Sequence, residues 1–284
     1  MFKEKLLLLR EIYRRASFSA AYSQNQPLLL IYQMGKVGST SLYKTLLNSD
    51  IPYRVIHTHL LSAGGIKEAY DFHRNKGWQD PLALSSLKTN RVISDKLLQT
   101  PPADLKIITL VREPVSRAIS NYFENNIRAD NNIHANDIDI SVDKICRELD
   151  KIFRHRITRE STEERWFSNE LKTVFGFDVF SHSFDKDAGF AVSSEPGYKL
   201  IVSTMESLDT FMRDYLPDIL SIEYPLKIQR SNIGADKQTA SLYKRVASEF
   251  RLDRDLCEKM FSGRYVRHFY TDQMIDSFIS RWSR

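Results

Sequence analysis

Short apolar runs alternate with helical stretches along the first two-thirds of the chain. Four of these runs are too short for most helices and are therefore predicted as strands: residues 28–34, 53–60, 106–111 and 198–204. Leu42 and Leu46, spaced i, i+4, indicate an amphipathic helix after the first strand. Strands that alternate with helices need crossover connections, so the pattern predicts an α/β fold with a central parallel sheet flanked by helices.

The rest of the chain predicts a helical C-terminal part. Residues 141–175 are highly charged and helical in pattern, whereas 129–139 form a polar loop and 181–197 a loop or a short hairpin. Neither a linker nor an internal repeat interrupts the sequence. We therefore expect one domain over residues 1–284, with a basic N-terminal helix over residues 1–25.

The most informative segment is residues 28–42, which read LLLIYQMGKVGSTSL. An apolar strand runs into a short loop of glycines, one lysine and several hydroxyl residues, and then into a helix. Such a loop can hold a phosphate group through backbone N–H groups and the helix dipole. In nucleoside-triphosphatase loops the lysine follows the second glycine, but here Lys36 precedes Gly38. The order of residues therefore argues against ATP or GTP.

A second strand–loop–helix segment, residues 106–125, reads KIITLVREPVSRAISNYFEN. Arg112 ends the strand and Pro114 opens the helix, a position that proline tolerates well. Ser120 follows Arg112 by eight residues, so a forked guanidinium and a hydroxyl can converge on one phosphate. Both segments place their polar residues at carboxyl ends of strands, where open α/β sheets bind ligands.

Together the two segments resemble the sulfotransferases that use 3′-phosphoadenosine-5′-phosphosulfate (PAPS). The residues of the two loops are most similar to those of carbohydrate sulfotransferases and of bacterial capsular polysaccharide synthesis proteins. The resemblance implies a P-loop-like three-layer fold, PAPS as cosubstrate, no metal, and a carbohydrate or glycoconjugate acceptor. It places Arg112 and Ser120 at the 3′-phosphate site. It also implies a 5′-phosphosulfate loop formed by Lys36, Val37, Gly38, Ser39, Thr40 and Ser41.

The C-terminal stretch extends the resemblance to the capsular group. The residues that carry it are Asn232, Gly234 and Lys237 in RSNIGADK, and Tyr265, His268, Phe269 and Tyr270 near the end of the chain. The first group, with Arg230, would form a loop that closes over the nucleotide. His268 and Tyr270 are expected in a helix–helix contact, and Trp166 in the core.

Lys36 is the predicted group that neutralises charge on the leaving phosphate, because it stands between two glycines after a buried strand. An acceptor hydroxyl also needs a base. His57 and His59 share one face of the second strand, similar to the H-x-H of some uronic-acid 2-O-sulfotransferases, and we predict His59 as the base with His57 orienting it. Alternatives are two hydrogen-bonded core histidines, or a metal pair, which lacks a third ligand. Arg117 would reach the phosphate or lie on a solvated helix face.

Charge and cysteine content narrow the class of protein. The net charge is +5, of which +3 lies in the first fifteen residues, so bulk nucleic-acid binding is not indicated. Two distant cysteines fit a reducing compartment. The N-terminus lacks the apolar core of a signal peptide, which points to a cytoplasmic protein. Its basic helix would either pack on the domain or contact an anionic membrane.

Two rival functions remain open on sequence grounds. A P-loop kinase would use ATP and magnesium, with a carboxylate at a strand end to hold the metal, where this chain has Arg112. A catalytically silent protein would bind nucleotide or saccharide as a scaffold for polysaccharide assembly. The acceptor sugar and its position do not follow from the fold.

Overall fold

A five-stranded sheet forms the centre of the molecule. The structure, a computed structural model, describes residues 2–23, 26–75, 81–127, 138–156, 161–229 and 237–284. The strands lie in the order β2-β1-β3-β5-β4. Their bounds are β1 Leu28–Tyr32, β2 Arg54–Thr58, β3 Leu105–Val111, β4 Phe190–Glu195 and β5 Tyr198–Thr204.

The four predicted strands are all present and run parallel to one another, as predicted. The prediction of a wholly parallel sheet is wrong at one edge, where β4 pairs antiparallel with β5. Only two residues separate these strands, and Gly197 has φ +88, so the chain turns back directly as a hairpin. The loop-or-hairpin prediction for residues 181–197 is thus partly right: residues 190–195 form one strand of a hairpin, and its other strand is β5. The sheet is therefore mixed.

The other elements of the described chain are helices and helical turns, including all those after β5. The α-helices are α1 Phe2–Ser23, α2 Ser39–Leu47, α3 Ala63–Asn75, α4 Pro81–Gln99, α5 Pro114–Tyr122, α6 Ile138–Arg156, α7 Thr162–Trp166, α8 Thr173–Phe175, α9 Leu208–Thr210, α10 Leu216–Leu220, α11 Lys237–Glu249, α12 Arg254–Phe261, α13 Arg264–Phe269 and α14 Asp272–Trp282. Three π-helical turns, Phe123–Ile127, Phe167–Lys172 and Phe211–Tyr215, and one 3-10 turn, Val179–Ser181, join some of them.

The core lies around the middle strands. Every residue of β1 and β3 is buried, as expected for parallel strands that are covered on both faces. The predicted N-terminal helix is α1, which packs on α4 and β2 through the fully buried Phe18. Of the predicted loop 129–139, residues 129–137 lie outside the described residues, and the last two begin α6.

Candidate functional site

The predicted phosphate loop lies between β1 and α2. Lys36 has φ +71 and Gly38 has φ +87, both in the left-handed region, so the backbone turns tightly over three residues. A positive φ at a lysine is uncommon and indicates a conformation that its surroundings impose. The buried Val37 side chain fixes the loop to the core.

Gly38 is the N-cap of α2, and no side chain caps this helix. The N–H groups of Ser41 and Leu42 bond to the Gly38 carbonyl, which leaves the first-turn amides of Ser39 and Thr40 at the mouth of the loop. A Cβ at Gly38 would lie 3.4 Å from Met205 Sδ, so the residue after β5 packs directly over the loop. Such a helix start is suited to an anion.

The two sequence motifs meet at Lys36. Arg112 Nη1 donates to the Lys36 carbonyl oxygen at 3.1 Å. The Lys36 ammonium forms an ion pair with Glu124, Nζ to Oε2 2.9 Å. Glu124 follows Ser120 by four residues, one helical turn, so Lys36 reaches towards the helix that carries Ser120.

Arg112 lines a cavity of about 370 Å³, together with Ser116, Ile119 and Met205 among others. Its backbone is held by the buried Tyr265, whose hydroxyl accepts from Arg112 N and donates to Arg112 O. Ser120 is half-buried on α5, and the described contacts include none between it and Arg112. A common ligand between Arg112 and Ser120 therefore stays a prediction.

The start of α5 depends on two carboxylates that the sequence did not single out, the buried Glu113 and the more exposed Glu206. Glu113 accepts hydrogen bonds from Val115 N and Ser116 N, both at 2.7 Å, and so caps the helix. Glu206, just after β5, accepts from Glu113 N and from the Tyr270 hydroxyl. Burial raises the pKa of both Glu113 and Glu206 above the usual range.

Arg117 belongs to the core of the molecule. It is 5% exposed, and its Nε donates to Glu163 Oε1 at 2.7 Å. Both alternatives predicted for it, a phosphate ligand and a solvated helix face, are therefore wrong. The reason is that α7 covers this side of α5 and supplies the opposite charge.

The two histidines lie at the end of β2, His57 within the strand and His59 just beyond it. Their rings contact each other edge to face, with centroids 4.7 Å apart. His59 Nδ1 lies 2.8 Å from the carbonyl oxygen of Gln33. Because a carbonyl only accepts, Nδ1 carries the proton, and Nε2 keeps a lone pair. This tautomer is the one that a general base needs.

Gln33, the first residue of the phosphate loop, thus orients His59. The prediction gave that role to His57, but His57 packs on the ring of His59 and its own Nε2 lies 3.4 Å from the Gln33 side-chain nitrogen. A backbone carbonyl provides a fixed hydrogen-bond acceptor, whereas a second imidazole offers only an edge contact. The loop and the histidine pair are therefore one connected unit.

The surroundings keep both imidazoles neutral. Desolvation by the surrounding protein lowers the pKa of His59, although the residue is exposed, and the charges of Lys36 and Arg14 lower it further. Burial lowers the pKa of His57 well below the usual value. A neutral His59 beside a cation is poised to accept a proton rather than to hold one.

Two residues that support the histidines come from distant parts of the chain. Arg14 on α1 donates to the His57 carbonyl oxygen at 2.7 Å and to Asn90 Oδ1 at 2.9 Å. Trp166 Nε1 donates to the His59 carbonyl oxygen at 3.0 Å. Trp166 is half-buried at this surface, so its predicted place in the core is only partly right.

Glu170 organises the turn that follows His59. It is 2% exposed and accepts hydrogen bonds from the Tyr32 hydroxyl, the Leu61 and Ser62 amides, and the Ser62 hydroxyl. It lies on a π-helical turn, a feature that is frequent at functional sites. The signal in the sequence is a carboxylate beside Leu171, on the same apolar stripe as Phe167.

The C-terminal residues that carry the family resemblance lie in different surroundings. Tyr270 is buried at the end of α13 and packs edge to face on Phe278 of α14, with ring centroids 5.2 Å apart, so its predicted helix–helix contact is confirmed. Its hydroxyl also donates to Glu206. His268 packs on aromatic rings, among them Phe180. The predicted closing loop, with Arg230, Asn232 and Gly234, lies outside the described residues, as does the side chain of Lys237.

The described residues contain neither a candidate metal cluster nor a candidate membrane span. No cluster of three or more histidines, cysteines or carboxylates there has a geometry that would hold a metal ion. Within the same part of the chain, no helix combines the length and the apolar composition that a membrane span requires.

One part of the chain matches a known protein family. Residues 137–271, just under half of the sequence, match the family described as "Putative capsular polysaccharide synthesis protein". This segment runs from α6 to the end of α13 and contains the C-terminal residues of the resemblance, Glu170 and Glu206. Comparisons with curated proteins and with solved structures gave no match. The match is consistent with a polysaccharide-related role.

Proposed function

We propose that the protein is a PAPS-dependent sulfotransferase that acts on a hydroxyl group of a carbohydrate or glycoconjugate. One observation carries the proposal. The loop between β1 and α2 accepts a hydrogen bond from Arg112 through the Lys36 carbonyl and one from His59 through the Gln33 carbonyl. An anion-binding site with a cationic side chain and a candidate base are thus both attached to the loop between β1 and α2. In the proposed P-loop-like fold, this loop binds the phosphate.

In this mechanism the acceptor oxygen attacks sulfur while the bond from sulfur to the bridging phosphate oxygen breaks. The proton of the acceptor hydroxyl passes to His59 Nε2. Because Nδ1 donates to the Gln33 carbonyl, Nε2 has a free lone pair that can accept this proton. Lys36 and the first-turn amides of α2 stabilise the negative charge on the leaving 3′,5′-adenosine bisphosphate. Arg112 and Ser120 hold the 3′-phosphate, and no metal takes part.

Details of the strand ends favour this proposal over a kinase. The carboxylate that follows β3, Glu113, is committed to two amides of its own helix. The carboxylate that follows β5, Glu206, is bonded to the Glu113 amide and to Tyr270. Neither carboxylate is free for magnesium, whereas Arg112 faces a cavity large enough for part of a nucleotide. The polysaccharide-related family match supports a sugar acceptor, and we propose a cytoplasmic location.

Calorimetric titration with 3′,5′-adenosine bisphosphate, beside ATP with magnesium, tests the cosubstrate. We expect the bisphosphate to bind and ATP to bind weakly. Arg112→Ala should reduce bisphosphate affinity roughly 10- to 100-fold, since a hydrogen bond to a charged group contributes about 1.5–3 kcal/mol. Arg213→Ala, which removes an exposed arginine paired with its neighbour Asp214, is the matched control and should change nothing.

A second arm separates an enzyme from a scaffold. The double variant His57→Asn/His59→Asn should keep its bisphosphate affinity and lose sulfuryl transfer from labelled PAPS to a capsular glycan acceptor. Binding of ATP without the bisphosphate would overturn the proposal in favour of a kinase. Absence of both binding events, or transfer that is indifferent to the histidines, would also overturn it.

A further inference from the structure

Helix α1 presents an apolar row to solvent. Leu9, Ile12 and Tyr13 are 61%, 44% and 69% exposed, and their i, i+3, i+4 spacing places them on one face. Ala16 and Ala20 continue the row and are also exposed. Exposed apolar residues that stand singly need no explanation, but a continuous row along a helix does.

The opposite face of α1 is already fixed to the domain. Phe18 is fully buried, Arg14 bonds to the backbone of His57, and the Tyr22 hydroxyl donates to the Lys96 carbonyl. The apolar row is therefore not the face by which the helix packs on its own chain. Arg14 ties α1 to the backbone of His57, so the helix packs beside the strand that leads to the histidine pair.

The positive charge of the N-terminal segment indicates what kind of surface this apolar row contacts. The first fifteen residues hold five cations and two carboxylates, an excess of three, whereas the other 269 residues are nearly balanced. At 100° per residue, Arg15 falls on one flank of the row that starts at Leu9. An apolar row in a basic segment matches the anionic headgroups and acyl boundary of a lipid surface.

We propose that α1 docks the protein on an anionic lipid surface, with Leu9, Ile12 and Tyr13 inserted and the flanking Arg15 at the headgroups. A second copy of the chain is the less suitable occupant, because a two-fold contact through α1 would bring two basic segments together. Docking does not depend on the proposed transferase activity. It places the end of the domain that carries His57 at the membrane.

Co-sedimentation of the whole protein with vesicles tests the docking. We expect binding to vesicles rich in phosphatidylglycerol, and little to phosphatidylcholine alone. Raising the salt concentration from 0.1 M to 1 M shortens the screening length from about 10 Å to about 3 Å and should weaken the binding. Leu9→Gln/Tyr13→Gln should reduce it roughly tenfold or more, because two inserted side chains are removed.

Val192→Gln is the matched control, since Val192 is 41% exposed on β4, at the opposite edge of the sheet from the β2 edge on which α1 packs. Circular dichroism and bisphosphate titration of the Leu9/Tyr13 variant should match those of the parent protein, which separates docking from folding and from the proposed function. Equal sedimentation of parent and variant, no preference for anionic vesicles, or absence of vesicle binding would overturn the proposal. Lipid-free self-association that the variant abolishes would assign the row to a second copy instead.

Discussion

Two adjacent glycines at the start of α3 provide a sharp test of the turn that follows His59. A Cβ built at Gly65 would lie 1.9 Å from Glu170 Oε1 and 3.0 Å from Ser62 Oγ, whereas one built at Gly64 meets nothing within 4 Å. The Ser62 hydroxyl both donates to Glu170 and accepts from the Gly65 amide. Gly65→Ala therefore places a methyl group against the Glu170 carboxylate and disturbs the hydrogen bonds of this turn, whereas Gly64→Ala leaves them intact.

The size of the effect follows from these contacts. To restore an ordinary contact of at least 3.4 Å, the Glu170 carboxylate must move away and give up its bond to Ser62. Overpacking costs about 1–3 kcal/mol and the lost charged hydrogen bond about 1.5–3, against a helix-propensity gain of up to about 1. We expect Gly65→Ala to lower the free energy of unfolding by roughly 2–4 kcal/mol, and Gly64→Ala to raise it by roughly 0.5–1.

Urea denaturation followed by circular dichroism measures both variants, and a double-mutant cycle identifies the cause. In a Glu170→Ala background the carboxylate is gone, so Gly65→Ala should no longer destabilise the protein. Equal shifts for the two alanine variants would refute the packing of Glu170 against α3. A loss at Gly65 that persists without the Glu170 carboxylate would refute the clash as its origin.

Three further predictions concern charged groups. The Arg117–Glu163 side chains are 6% and 5% exposed, so Glu163→Gln should lower the free energy of unfolding by about 3–5 kcal/mol in urea denaturation. Glu124→Gln should tighten bisphosphate binding about two- to fivefold in calorimetry, because it releases the Lys36 ammonium from an exposed ion pair. His59 should lose its proton below pH 6.5 in a histidine NMR titration, because desolvation lowers its pKa. Its neutral form therefore stabilises the fold fully above pH 6.5, and that contribution is lost as the pH falls towards the folded pKa.

One exposed ion pair serves as the control for the first two of these predictions. Asp71→Asn removes a carboxylate that pairs with Lys67 on the surface of α3, and it should change neither the urea midpoint nor the bisphosphate affinity. His59→Asn assigns the NMR resonance. An unfolding curve unmoved by Glu163→Gln, an affinity unmoved or weakened by Glu124→Gln, or a His59 midpoint at or above pH 6.5 would each contradict the contact concerned.

The sequence predicts those parts of the molecule that have a local signature. Apolar runs gave the four parallel strands, and the two strand–loop–helix segments meet because β1 and β3 are neighbours in the sheet. The support of the histidines has no such signature. Arg14 reaches His57 across 43 residues and Trp166 reaches His59 across 107, so these pairs follow only from the packing of helices onto the sheet.

The surroundings of Arg117 also cannot be predicted from the local sequence. Its spacing in the helix after β3 is compatible with a ligand, a solvated face and a core ion pair alike. The choice depends on whether α7 covers that face, and the position of α7 is set by contacts far along the chain. The N-cap role of Glu113 does have a local signature, because the residue stands directly before Pro114 at the start of α5.

The strand order has a practical consequence for anyone who would dissect this chain. The segment that matches a family, residues 137–271, contains β4 and β5 only, and β5 is hydrogen-bonded along its other edge to β3, which lies outside the segment. A fragment cut at those limits would expose the edge of β5, along which six residues that include Leu200, Ile201 and Val202 pair with β3 in the whole chain. Such an open edge is a template for aggregation. Expression boundaries are therefore better drawn from the sheet than from the matched segment.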